Sequence, residues 1–440
     1  MITRASPTSD SIAGPAGLPF LGSTLSFLAA PREFAERLHN RYGPVSRVRY
    51  FGKDVVFLLG ADANEAVLLD RHQSFSSSGG WAYIGEFFRG GLMLRDFGDH
   101  REHRRLLQDS FRQPALRRYA VLMSSTVAND LEGWREKADG GAYWAVRQLM
   151  MRTALTTLLG MAEERGAALG RHFMRTLEAT YGLLPRFVPG SARQRGIESR
   201  RWLEVQVGEL VDIKRMSPGD DLLSQLIGKA NAVDSSLTRE MIVDHIIFLM
   251  MAAHDTTTST LTAAIASLID HPEWQDEVRA ELATVDLAEP TLEQLAALPI
   301  TEAVLNEAMR LHAPLGSIPR FTVKPVPVSG VVVPAGRHVI VSPDFVHRSP
   351  EHWPNPELFQ PQRFLCSKTV AERHRFAWVP FGGGAHKCLG YHFAYLQAKI
   401  LLAHLLRKWR LAGGSASPRR WIDLPMPRPH DGLPLRIERI

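Results

Sequence analysis

Phe381-Gly382-Gly383-Gly384-Ala385-His386-Lys387-Cys388-Leu389-Gly390 is the stretch that decides how this chain is read. It sets one cysteine in a glycine-rich turn, with a histidine and a lysine ahead of it. Glycine has no Cβ, so such a backbone can approach a flat ligand closely and aim amide N–H groups at a sulfur. Cationic neighbours and a helix N-terminus both favour thiolate over thiol. The run that follows, Tyr391 to Ile400, has a helical pattern and supplies that N-terminus. A thiolate is a good metal ligand, and a lone one suits an axial position better than a zinc cage. A lone cysteine is equally consistent with a small buried hydrophobe, so the turn is weighed against the rest of the chain.

The chain has 440 residues, 45% of them hydrophobic and 22% charged. That is an ordinary globular composition, and the length allows a large core. Two cysteines, Cys366 and Cys388, give no basis for a disulfide framework and fit a reducing, cytoplasmic compartment. Met1 to Asp10 contains no apolar stretch of the kind a signal peptide or anchor needs. The longest apolar candidate, Ile246 to Ile269, is interrupted by His254, Asp255 and a Thr/Ser string. It therefore reads as a buried helix, and no membrane span is expected. The net charge is +6 and the isoelectric point about 9.4. The basic residues are dispersed and form no nucleic-acid module, so no nucleic acid is expected as a partner. A mild positive excess suits an acidic protein partner.

Pro31 to Tyr42 reads as a helix ending before Gly43-Pro44. Val45 to Tyr50 and Val55 to Leu59 read as paired strands around Gly52-Lys53. From about Asp99 to Leu311 the pattern is helical, with breaks near Gly140-Gly141, Pro185 to Gly190 and Ser217 to Gly219. Short strands are expected at Phe321 to Val328, Val331 to Val333 and His338 to Val341. Helices are expected at Ile300 to His312 and Gly390 to Trp409. There is no internal repeat and no interdomain linker, so 1–440 reads as a single, mainly α domain with small β-sheets.

Phe381, Gly384, Cys388 and Gly390 stand at the positions of the Phe-x-x-Gly-x-x-x-Cys-x-Gly signature of the cytochromes P-450. The chain resembles that family from end to end, in its soluble bacterial form. The resemblance implies the cytochrome P-450 fold, with heme b (iron protoporphyrin IX) as cofactor and Cys388 as its axial metal ligand. Phe381, Gly384, His386 and Gly390 would line the cofactor.

Other constellations stand beside that resemblance. Glu307 and Arg310 lie at i,i+3, a spacing that also describes an ordinary surface ion pair. With Arg363, in Pro361-Gln362-Arg363-Phe364, they resemble the family's Glu-x-x-Arg pair and its third arginine, which form a buried structural network. In Met251 to Thr257 the polar run is costly inside an apolar helix unless it is hydrogen-bonded. Thr256 can bond back to the Ala252 carbonyl. The segment also resembles the family's Ala-Gly-x-Asp-Thr oxygen groove, with Ala253 where the family usually has glycine. The resemblance makes Asp255 and Thr256 the catalytic proton-relay pair. His100 and Arg104, four apart on one helix face, suit a solvated basic helix. They also resemble the family's His-x-x-x-Arg, whose side chains bind haem propionates. Arg320 and His386 match further propionate ligands, while Arg101, His103 and Arg105 are expected at the surface.

By the same resemblance, the walls of an apolar substrate site are Trp81 to Met93, Tyr181 to Phe187, Leu249, Met250 and Ala253, and Leu315 to Ile318. The implied activity inserts one oxygen atom of O2 into a C–H bond, or a C=C bond, of an apolar small molecule such as a fatty acid, steroid or terpenoid. Electrons would come from a separate donor of the ferredoxin/ferredoxin reductase or flavodoxin type. The rival readings are a haem-thiolate peroxygenase or isomerase/dehydratase and, from another class, a haem-based sensor or carrier.

Overall fold

Val45-Ser46-Arg47-Val48-Arg49-Tyr50 and Lys53-Asp54-Val55-Val56-Phe57-Leu58 are rich in β-branched and aromatic residues, and they meet across two residues that accept left-handed backbone. Phe51 has φ 48° and Gly52 φ 72°, the primed-turn geometry that matches the twist of a hairpin. Strands β1 (Val45–Tyr50) and β2 (Lys53–Leu58) therefore pair antiparallel, from Val45 opposite Leu58 to Tyr50 opposite Lys53.

The computed structural model describes residues 12–134, 141–161, 163–182, 188–231, 236–413 and 419–440. The reading of Met1 to Asp10 lies outside these residues. The described chain forms two compact units.

The first unit takes in the described residues of 1–82, 93–98 and 307–388. Its remaining strands are β3 (Phe75–Ser76), β4 (Ile318–Thr322), β5 (Val326–Val328), β6 (Val331–Val333) and β7 (His338–Val341). One five-stranded sheet has the order β1-β2-β7-β4-β3, with β2 and β7 parallel and the other pairs antiparallel. Strands β5 and β6 make a separate hairpin. The single strand expected over Phe321 to Val328 is thus two, interrupted at Lys324-Pro325, where proline offers no N–H to a ladder. Val56, Leu58, Val339 and Val341 from the sheet pack with Val67 and Leu68 of the helix Ala61–Leu69, and with Phe376 and Val379.

The second unit takes in the described residues of 83–92, 99–306 and 389–440 and is mostly helical. Its longest helix, Arg239–Asp270, starts at Thr238, whose hydroxyl caps the Met241 N–H. It packs on the helices Ala142–Leu159 and Ala192–Met216. A break unmarked in the sequence reading falls at Gly160, left-handed at φ 59°. The break at Ser217 to Gly219 falls between the helices Ala192–Met216 and Leu222–Ala230. Gly140 and residues 185–187 lie outside the described residues. Strands β8 (Trp409–Gly413) and β11 (Leu435–Arg439) pair antiparallel, as do β9 (Trp421–Ile422) and β10 (Arg428–Pro429). Among the described residues no helix is long and apolar enough to cross a membrane.

Candidate functional site

The cysteine turn is built on backbone that only glycine adopts freely. Gly382 and Gly384 have φ 66° and 59°. A Cβ on Gly384 would lie 2.1 Å from the Leu68 carbonyl oxygen, at the C-terminal end of the helix Ala61–Leu69. The turn is thus pressed against that helix, and the missing side chain is what lets it seat. The Cys388 N–H donates to the Phe381 carbonyl at 2.9 Å and closes the loop. Gly390 differs: its φ is −84° and a Cβ there would meet only the Phe111 ring at 3.8 Å. It caps the start of the helix Tyr391–Lys408, two residues after the cysteine. Cys388 and Lys387 are exposed; Phe381 and His386 are half-buried.

Behind the turn stands a buried ion-pair network. Arg310 donates through Nε and Nη2 to the two Glu307 oxygens at 2.7 and 2.8 Å, and both side chains are fully buried. Its remaining N–H groups reach the carbonyls of His347 (3.0 Å), Pro356 (2.7 Å) and Leu358 (3.1 Å). Glu307 also accepts from the Gln360 N–H at 2.8 Å. Arg363 lies 3.4 Å from the same carboxylate and donates to the Asn355 carbonyl. The spacing of Glu307 and Arg310 left a surface pair open; the structure buries it. Two residues of this network escaped the sequence reading. Trp353 lies under both Arg310 and Arg373, whose guanidinium carbons are 5.2 and 3.7 Å from its ring. His347 accepts from the Val379 N–H at 2.9 Å. Nothing local marks His347, because its partners are distant in sequence.

Arg320 lies on β4 and is 6% exposed. Gly80 makes room for it, since a Cβ there would sit 2.6 Å from the Arg320 Cα. Its guanidinium donates to the Pro319 carbonyl at 2.9 Å, and among the described residues no carboxylate lies within 4.0 Å of it. Burial lowers its pKa to about 10, opposed by the Asp96 and Asp70 carboxylates. Leu315 and Ile318 pack with the core of the same unit.

The helix Phe97–Gln108 buries His100, His103 and Leu107. The expectation that His103 lies at the surface is therefore wrong. Positions i, i+3 and i+7 form one helical stripe, and His103 shares it with His100. Its Nδ1 is 2.8 Å from Nε2 of the buried His245. Arg104, at the margin of the stripe, is half-buried; Arg101 and Arg105 are exposed.

On the helix Arg239–Asp270 the polar run is hydrogen-bonded internally. Thr256 donates to the Ala252 carbonyl at 2.7 Å, and Thr258, Thr260 and Thr262 repeat the i−4 pattern. Asp255 is 14% exposed and His254 fully buried; Nδ1 of His254 is 2.7 Å from Asp255 Oδ1. Nε of Arg147, from the helix Ala142–Leu159, lies 3.9 Å from the same oxygen. Leu249 is 7% exposed and Met250 fully buried, while Ala253 is half-buried. Phe87 and Phe88, within the expected wall Trp81 to Met93, are fully buried. Of the wall Tyr181 to Phe187, residues 183–187 lie outside the described residues.

The donor chemistry suits a flat, carboxylate-bearing, metal-centred cofactor. Among the described residues no group of three or more His, Cys, Asp or Glu is arranged to hold an ion, so Cys388 would act as a lone thiolate ligand. Arg320, a buried cation with no carboxylate within 4.0 Å among the described residues, suits a carboxylate of such a group.

Comparison with known proteins agrees. The family model described as cytochrome P450 matches residues 12–182 and 197–425, and the chain belongs to that family. It is 34% identical over 435 residues to cytochrome P450 136 of Mycobacterium tuberculosis, covering 96% of this chain and 88% of the relative. It is 27% identical to abscisic acid 8'-hydroxylase 4 of Arabidopsis thaliana, covering 97% of this chain and 92% of that one. The retinoic-acid-bound structure of cyanobacterial CYP120A1 superposes with TM-score 0.86 at 27% identity, covering 98% of this chain and all of the other. The fold is mainly helical with small sheets, and the protein is a haem-thiolate monooxygenase. It is an oxidoreductase that uses O2, a redox partner and a small-molecule substrate.

Proposed function

We propose that this monooxygenase hydroxylates an apolar terpenoid, with heme b bound through the Cys388 thiolate. The observation that carries the substrate class is that one similar protein has a solved structure with retinoic acid bound, and another is named an abscisic acid 8'-hydroxylase. Both compounds are apolar isoprenoid skeletons ending in a carboxylate. When bound, the haem supplies oxygen activation, which thiolate ligation favours.

The chain's own residues divide the remaining work. Phe381, Gly384, His386 and Gly390 shape the turn that presents Cys388. Glu307, Arg310 and Arg363 hold that turn, and His347 joins them to it. His100, Arg104, Arg320 and His386 take the cofactor's carboxylates, where charge-assisted hydrogen bonds are strongest. Asp255 and Thr256 hold and pass protons. Thr256 gives its own hydrogen to the Ala252 carbonyl, so its oxygen is left as an acceptor. Leu249, Met250, Ala253, Leu315 and Ile318 exclude water from the substrate.

Electrons come from a separate ferredoxin or flavodoxin-type donor; exposed Lys387, beside Cys388, supports an acidic docking face. The low cysteine content supports a cytoplasmic setting. The test is a spectral binding screen over terpenoid acids, fatty acids and steroids, followed by turnover with a ferredoxin system and with hydrogen peroxide. Terpenoid acids should give the tightest spin-state shift and ferredoxin-driven hydroxylation. Tightest binding of a steroid or fatty acid overturns the substrate class, and turnover with peroxide alone overturns the donor.

A further inference from the structure

His254 is fully buried, and each of its ring nitrogens meets an oxygen. Nε2 is 3.0 Å from the Arg147 main-chain carbonyl, and Nδ1 is 2.7 Å from Asp255 Oδ1. A backbone carbonyl only accepts hydrogen bonds. Nε2 must therefore carry a hydrogen. In a neutral imidazole the other nitrogen then bears a lone pair, and an ionised carboxylate also offers only lone pairs. Two lone pairs 2.7 Å apart repel.

We infer that His254 and Asp255 hold one shared proton between Nδ1 and Oδ1, so that His254 is the proton-holding partner of Asp255. The inference rests on the reading of Asp255 as a proton-handling group. The pair exists either as imidazolium with carboxylate or as imidazole with carboxylic acid. Passing between the two breaks Nδ1–H and forms Oδ1–H, and the pair's net charge stays at zero. When Asp255 releases that proton the pair falls to −1 and the lone-pair contact reappears, which drives reloading from water. Reloading runs through Asp255, because that side chain is 14% exposed while His254 is sealed.

The surroundings keep the pair near neutrality overall. Arg147 Nε lies 3.9 Å from Asp255 Oδ1, and Glu178 lies 4.0 Å from Arg147 Nη1, so one cation and one anion flank it. The Tyr143 and Tyr181 phenols, whose pKa values burial raises, remain uncharged. On the remaining side the Phe173 ring meets His254 edge-on, 6.1 Å between centroids.

The experiment is histidine 15N NMR of the diamagnetic ferrous carbonyl holoenzyme, with His254 assigned from the His254→Asn difference spectrum. Wild type should show Nε2 protonated and Nδ1 sharing its proton. Asp255→Asn should show a neutral Nε2–H ring. A neutral ring protonated on Nδ1 in wild type overturns the inference, since it puts no extra proton on the pair. Coupling of product to electrons is the second measurement. Asparagine at 254 keeps a donor toward Asp255 but cannot lose it, so His254→Asn should lower coupling several-fold. Haem content and the substrate-induced spin shift should not change. Uncoupling in Asp255→Asn without uncoupling in His254→Asn overturns this inference alone. Unchanged coupling in Asp255→Asn overturns the proton-relay reading on which it rests.

Discussion

His347 takes the Val379 N–H on its Nε2 at 2.9 Å, while its own main-chain carbonyl takes Arg310 Nη1 at 3.0 Å. One residue thus links the Glu307–Arg310 ion pair to the strand of chain that enters the cysteine turn two residues later. The link requires a neutral ring, because an imidazolium has no acceptor for Val379. Burial, and then the positive charge of Arg310, lower the His347 pKa to about 3.

That depression makes stability depend on acid. The unfolded chain binds a proton at this histidine below its ordinary pKa of about 6.5, and the folded chain refuses it until about 3. Stability from His347 is therefore complete above roughly pH 6.5 and is lost progressively as pH falls toward 3. The loss approaches about 4–5 kcal/mol at full extent, at 1.36 kcal/mol per pKa unit. His347→Gln keeps an acceptor without the titration. Denaturant melts at pH 7.5 and 5 should show a smaller acid loss in this variant than in wild type; equal losses would assign the acid sensitivity elsewhere.

Breaking the buried pair should be severe. Removing one member of a buried, hydrogen-bonded ion pair costs about 3–5 kcal/mol. Glu307→Ala and Arg310→Ala should both give protein with little haem and a lowered Tm. Arg310→Lys should fail too, since an ammonium cannot grip both Glu307 oxygens and three carbonyls in one plane. Wild-type haem content in Arg310→Lys would show that charge alone suffices.

The two glycines flanking Cys388 should respond differently. Alanine at Gly384 meets both a left-handed φ of 59° and a carbonyl at 2.1 Å. The conformation alone costs about 1–2 kcal/mol, and the clash forces the turn off the helix Ala61–Leu69. Gly390→Ala has neither obstacle. Circular dichroism melts and haem titration of the two variants should show Gly384→Ala unstable and haem-poor, and Gly390→Ala folded with a near-wild-type Tm.

Thiolate ligation is checked by the ferrous carbonyl spectrum. Cys388→Ala should lose the red-shifted Soret band that marks a cysteine-ligated haem, and Cys366→Ala should keep it. Both cysteines are exposed in the folded chain, so exposure does not separate them and the spectrum does.

The sequence by itself determined the family, a hairpin near Gly52 (read around Gly52-Lys53, with the turn falling one residue earlier, since Lys53 pairs with Tyr50), and the long helix through Asp255 and Thr256. Each of these is local: a turn needs particular φ values, and a helix needs a period. It also named Glu307, Arg310 and Arg363 of the ion-pair network, though not His347 or Trp353, yet i,i+3 spacing is the same at the surface and in the interior. Only tertiary packing removed Glu307 and Arg310 from water and closed their hydrogen bonds with carbonyls up to 48 residues away. The same holds for His103, expected in solvent but turned inward by the stripe it shares with His100 and Leu107. It holds most clearly for His254, whose second ring nitrogen finds its acceptor 107 residues earlier in the chain. Burial and long-range partners decide whether a polar side chain is solvated, strained or poised to carry a proton, and neither is written in local spacing.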